Sequence, residues 1–297
     1  MTVTTAQGAP AARPVRRRPS LAWVGLVPFL VFAAAFLIIP TFYLVVGSFQ
    51  DKAGGFTLQN YADLSGGEIS NAYMTSIEIS LVTAILGGIL GFLMAYAVIS
   101  GGLPGPFRSG LMTFSGVASN FAGIPLALAF TFTLGRLGFL TIFTRDILGV
   151  DIYGNGFTIY SKLGLEIVYL YFQFPLMILI IAPAIDGLRK EWREASENMG
   201  ATGFQYWRYI ALPILMPTLL GTMILLFGNS FGAQATAQQL TGGTLNIVTL
   251  LISRQIRGDV LNNVPLGYAI AMGMVVIMGV TILAYVWLGR RAARWQR

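Results

Sequence analysis

Six stretches of this chain carry no charged side chain, and each is long enough, as a helix, to cross the roughly 30 Å hydrocarbon layer of a bilayer. They are residues 21–46, 79–100, 111–134, 167–185, 212–231 and 264–288. A backbone immersed in lipid must satisfy its own hydrogen bonds, so stretches of this kind read as helices. The fold class is therefore all-α integral membrane, with six transmembrane helices. Composition agrees: 55% of residues are hydrophobic and 10% are charged, against about 25% charged in a soluble domain.

The first stretch follows a basic lead, "RPVRRRP", and contains "AAA" at 33–35. A cleaved leader would show both features, but the apolar run continues far past that point, so an uncleaved span is expected. Lys and Arg placement sets orientation. Arg13, Arg16, Arg17, Arg18, Arg108, Arg189, Lys190, Arg193, Arg208, Arg290, Arg291, Arg294 and Arg297 fall on one side. Lys52, Arg136, Arg145, Lys162, Arg254 and Arg257 fall on the other. The richer side is expected to be cytoplasmic, with both termini there, in the cell inner (plasma) membrane. Residues 47–78, 135–166 and 232–263 then lie outside as polar loops with short helices and turns. No internal repeat is visible, which counts against an inverted-repeat secondary transporter.

Between the fourth and fifth stretches lies a polar segment, "EASENMGATGFQYWRYIALP", 194–213. Leu188, Trp192, Ala195 and Met199 recur at helical steps and form one apolar stripe, with Lys190, Arg193, Glu194 and Glu197 elsewhere. Gly200 ends that helix, because glycine tolerates a left-handed conformation. Thr202 and Gln205 have capping-box spacing for a second helix carrying Phe204, Trp207 and Tyr209. Pro213 suits the first turn of the next span. The pattern predicts a helix–turn–helix elbow joined rigidly to the fifth span. A bland alternative is an amphipathic hairpin resting on lipid head groups.

Several chemistries lack their residues. The chain contains no histidine and no cysteine, which removes the commonest general base and any thiolate. The three lysines follow Asp51, Ser161 and Arg189, so there is no Gly-Lys pair for a phosphate-cradling loop. "GNSFG" at 228–232 fits the serine-elbow string, but Ser230 has no histidine partner. Gly228 and Gly232, like Gly87 and Gly91, are better read as sites of close helix approach. The membrane prolines Pro28, Pro40, Pro125, Pro175, Pro183 and Pro217 read as ordinary kinks.

Glu194-Ala195-Ser196, then Gly200, Ile210, Leu212 and Pro213, resembles the cytoplasmic "EAA…G…I-LP" loop of binding-protein-dependent ABC importer permeases. Ser196 departs from the alanine common there. The resemblance implies that the elbow, residues 186–211, is a coupling element docking on an ATP-binding subunit. Glu194, Ala195 and Gly200 would lie at the docking surface, and Ala195 and Ser196 would permit close approach. It divides the chain into a basic tail (1–20), a first helix (21–50), a permease core (72–289) and a second basic tail (290–297). It implies no catalytic residue and no metal or cofactor on this chain, with ATP and Mg on a partner ATPase dimer. It further implies a second permease subunit, an extracytoplasmic solute-binding protein and a lipid bilayer as partners, and no nucleic acid.

For the pathway, Asn120 (in the "SNFAGI" patch before Pro125), Asn229, Ser230, Gln234 and Gln238 are the polar candidates. Glu78 and Glu166 flank the second and fourth spans, and could attract a cationic solute beside Tyr169, Tyr171, Phe172 and Phe174. The segment "QATAQQLTGGTLNIVTLLISRQIRGDV" looks like the polyamine-type branch of these permeases, which also handles phosphonates and ferric iron, more than the sugar branch. Two other readings stay open: a secondary transporter with a surface hairpin, and a membrane enzyme using Asp or Glu.

Overall fold

The computed structural model describes residues 25–101, 104–154, 156–257 and 262–293. The basic tail 1–20, the first residues of the 21–46 stretch, Arg294 and Arg297 lie outside the described residues. The described residues up to Val46 form one unit and those from Gly47 onward another. Every described element is helical, save an isolated bridge between Gln50 and Phe56, and six helices are apolar and long enough to cross a membrane.

Helix α1 runs Val27–Ser48. It contains a π-turn over Ala34–Ile38, where the Ile39 N–H reaches back to the Ala34 carbonyl. Pro40 lies two residues past it. A proline in a helix lacks an N–H and its ring crowds the carbonyl four residues back; a widened turn relieves both. The side chains of Phe29, Phe32, Phe36 and Phe42 are exposed, as suits a helix wetted by lipid.

The second unit is built on two long helices. After a short α2 (Gln59–Asp63) come α3 (Gly67–Ser100), α4 (Gly105–Asn120), α5 (Gly123–Leu134) and α6 (Phe139–Ile147). Helix α7 spans Lys162–Asp186. It lies along α3 at very close range because Gly87 and Gly91 face it. A Cβ on Gly87 would sit 2.7 Å from the Gln173 Cβ, and one on Gly91 would strike Met177 and the Phe174 carbonyl. Small residues at a crossing let backbones approach, which is how membrane helices gain dispersion contacts without a hydrophobic drive. Around this seam Ala84, Met177, Ile181, Leu215 and Leu226 form a buried cluster.

Helix α8 (Lys190–Asn198) leads to α9, continuous over Gly203–Phe231. Two short helices, α10 (Ala235–Thr241) and α11 (Val248–Arg257), precede the last span, α12 (Val264–Ala293). Helix α12 is pinned to α3 where the Tyr73 hydroxyl donates to the Ile270 carbonyl at 2.5 Å. A Cβ on Gly228 of α9 would meet Met278 of α12 at 2.6 Å. Gly232, by contrast, abuts only its own helix.

The structure departs from expectation in three places. The second span starts at Gly67 rather than near 79, so residues 67–78 extend it as helix. The stretch 111–134 is two helices, not one. Asn120 folds its amide back onto the Gly116 carbonyl at 2.8 Å, and Gly123 takes a left-handed φ of +74°, so the chain turns between Asn120 and Gly123, and Pro125 lies in the first turn of α5. The third membrane-length segment is therefore Gly123–Ile147. Finally, the described part of residues 232–263 holds the expected short helices, but they pack into the core rather than lying as a polar surface. Ala237, Leu240 and Ile247 are buried among α3, α5 and α7, while Val248 and Leu251 pack against α3 and α12. A latch holds this segment to the start of α3: Asn246 Nδ2 donates to the Glu68 carbonyl at 2.7 Å, and Arg254 lies 3.9 Å from the Glu68 carboxylate.

Candidate functional site

The elbow forms as its sequence dictates. Helix α8 ends at Gly200, whose φ is +80°, and the Gly200 and Ala201 amides donate to the Glu197 and Ser196 carbonyls. The capping box is complete: the Gln205 amide donates to Thr202 Oγ1 at 3.3 Å, and the Thr202 amide donates to Gln205 Oε1 at 2.7 Å. From there the chain runs without interruption into α9 through a π-turn at Trp207–Ala211, in which the Leu212 N–H bonds the Trp207 carbonyl. Pro213 lies two residues past this π-turn, as Pro40 does past the π-turn of α1. The elbow and the span behind it are one helix.

The face the elbow buries differs from the expected stripe. Trp192, Ala195 and Met199 are exposed, Met199 at 80%. The inward side chain is Ser196, 2% exposed, with its hydroxyl donating to the Arg193 carbonyl at 2.7 Å. Tyr206 is buried beside it. Ser196, Tyr206 and Tyr209 border a groove of about 330 Å³ whose rim is Met199 and Gly200. Met199, Phe204 (74% exposed) and Tyr209 are thus uncovered apolar side chains of the elbow, and Glu194 is exposed as well. Ile210 and Leu212 are half-buried. Arg193 pairs with Glu197 at 2.9 Å, and that hydrogen bond and charge push the guanidinium further above its ordinary range. Arg108 of α4 pairs with Asp186 at the end of α7, just before the elbow.

A second feature is a cavity of about 750 Å³ where α4 breaks from α5. Gly123, Ile124, Asn229, Gln234, Gln238 and Arg257 line it, with Ser119 and Phe172. Thr236 fixes the break, since the Gly123 amide donates to its Oγ1 at 2.9 Å. Of the five polar candidates, Asn229, Gln234 and Gln238 line this space. Ser230 is buried on the other side of α9, sharing a hydrogen bond of 3.0 Å with Thr83. Asn120 is occupied with its own helix. Sequence reasoning missed Gln239 and Arg257; Gln239 closes the run "QATAQQ", whose Gln234 and Gln238 share one helical face.

The two carboxylates do not line the cavity. Glu78 lies within α3 and is ion-paired to Lys162 at the start of α7, and Glu166 follows one turn later. Of the nearby aromatic residues, Tyr169 and Phe172 are buried. The Tyr169 hydroxyl donates to the Ala233 carbonyl at 2.6 Å, so it supports the α9–α10 turn.

Residues 19–294 match the family described as "Binding-protein-dependent transport system inner membrane component". The chain belongs to that family. It is a permease subunit of the ABC-importer kind and not an enzyme. It is 26% identical over 206 residues to the sulfate transport system permease protein CysT of Salmonella typhimurium, covering 68% of this chain and 69% of that one. It is 24% identical over 261 residues to the spermidine/putrescine transport system permease protein PotB of Haemophilus influenzae, covering 84% and 87%. A probable sulfate permease cysT of Helicosporidium is 27% identical over 174 residues, and this chain spans 60% of its length. The fold is similar to that in a crystal structure of a bacterial ABC transporter that imports the acidic polysaccharide alginate, with TM-score 0.71, 17% identity and coverage of 91% and 95%. Partners of the kinds such importers use, an ATPase and a solute-binding protein, go with family membership.

Proposed function

We propose that this chain forms one half of a solute gate and is driven through its elbow by an ATP-hydrolysing partner. The observation that carries this reading is an elbow whose apolar Met199, Phe204 and Tyr209 lie uncovered and which runs without a joint into the membrane-length helix α9. Exposed apolar side chains around a groove suit a partner surface, and a helix seated on that partner can turn the span behind it as a lever. Glu194, Ala195 and Gly200 face the ATPase; Ser196 instead packs the elbow from within. ATP and Mg belong to the ATPase dimer, one elbow per subunit, so a second permease, identical or different, completes the complex. The elbow side and both termini are cytoplasmic, in keeping with the excess of basic residues there. A binding protein delivers a small solute on the opposite side, and the solute passes by way of the cavity between Ser119 and Arg257.

Because the chain has no native cysteine, a cysteine replacing Met199 is the sole thiol for crosslinking. It should crosslink to the ATPase in membranes and resist an impermeant thiol reagent added outside intact cells. Labelling from outside, or crosslinks that never reach a nucleotide hydrolase, would overturn the proposal.

A further inference from the structure

The cavity's lining carries one sign of charge. Among the described residues that line it, Arg257 is the only ionic side chain and there is no carboxylate. The remaining polar lining is mainly amide: Asn229, Gln234, Gln238 and Gln239, with Ser119 and Thr236. An amide can give or accept a hydrogen bond, so those residues favour a polar solute without choosing its charge. The guanidinium does choose. A cation entering this space sheds part of its hydration and meets a like charge, while an anion meets a planar fork of donors suited to oxygen pairs. Among the described residues, the carboxylates on the neighbouring helix α3 do not line the cavity: Glu78 is held by Lys162, and Glu68 faces Arg254. The N-terminal turn of α5, at Gly123 and Ile124, opens on the same space and adds partial charge of the same sign.

From these walls we infer that the solute is a small oxyanion rather than a polyamine, and that Arg257 is the residue that selects its charge. The inference rests on the reading of this chain as an importer permease, whose solute passes through this cavity. One guanidinium among neutral amides also gives weak binding, as a passage needs: a solute must be able to leave as well as enter.

The test is equilibrium binding of radiolabelled sulfate, inorganic phosphate, putrescine and glucose to the full-length chain in nanodiscs. Saturable, salt-sensitive binding of sulfate or phosphate is expected, about tenfold weaker in Arg257→Gln and partly restored in Arg257→Lys, with none for putrescine or glucose. The double variant Arg257→Gln with Gln238→Glu should lose the anion and gain putrescine. Anion binding unchanged by Arg257→Gln overturns the inference, as does no saturable binding of either anion, or putrescine or glucose binding as well as they do. The elbow crosslink is read without any solute, so failure here leaves the importer reading standing, and failure there is seen independently.

Discussion

Trp207 stands edge-on to Tyr96, with ring centroids 4.5 Å apart and planes at 78°. Phe92, one turn earlier on α3, meets the same indole at 6.2 Å. Trp207 is the first residue of the π-turn that carries the elbow into α9. It therefore ties the elbow to a second span, and any displacement of the elbow is shared between α9 and α3.

Trp207→Ala should loosen that tie. The indole is half-buried, so the stability cost is expected near 2 kcal/mol, below the 3–5 typical of a core aromatic truncation. The larger effect is functional: the assembled complex should keep its ATPase activity while uptake falls at least tenfold. Parallel measurement of both rates in proteoliposomes checks this; equal losses would point to misfolding instead.

Gly200→Val forces a β-branched residue into a left-handed backbone. Space is not the issue, since nothing lies near the site a Cβ would take. The turn between α8 and α9 should re-form at a different angle, separating hydrolysis from uptake. Glu194→Lys should do the same by reversing a charge on the docking face, without moving the melting temperature. Normal uptake in both variants would remove the coupling role.

Gly91→Leu should cost several kcal/mol, because its new side chain must enter the α3–α7 seam against backbone and Met177. Gly110→Ala is the contrast: it lies within α4 with open space around it, and should be neutral or stabilising by up to about 1 kcal/mol. Thermal denaturation of the two purified variants in the same detergent distinguishes them.

The Arg108–Asp186 pair is a smaller matter. Both side chains are more than a third exposed, so solvent screens them and the pair should contribute under about 1 kcal/mol. A double-mutant cycle with Arg108→Ala and Asp186→Ala reads that coupling; a value above 2 kcal/mol would mean the pair is a structural latch.

Much of this was legible in the residues. Apolar length revealed the spans, because lipid imposes one simple requirement on a helix. The capping box and Gly200 located the elbow, because both act on neighbours in sequence. The face the elbow buries was not legible: Ser196 points inward and Met199 outward because of α9 and α3, which the local stripe cannot register. The break at Phe121 was likewise hidden. Counting apolar residues treats 111–134 as uniform, while a single left-handed glycine and one back-bonded asparagine divide it. Arg257 went unnoticed because its partners in the cavity are separated from it in sequence and gathered only by the fold.

Helix α3 is 34 residues long, about 50 Å at 1.5 Å per residue. That exceeds any bilayer's oily interior, and its two ends bear different attachments: the Glu68–Asn246–Arg254 latch at one, the Trp207 rings at the other. A tilt imposed at Tyr96 thus reappears at Glu68 as the swing of an unbroken strut, with no chain of side-chain rearrangements needed in between. News from one face of the membrane reaches the other at the speed and fidelity of a rigid body.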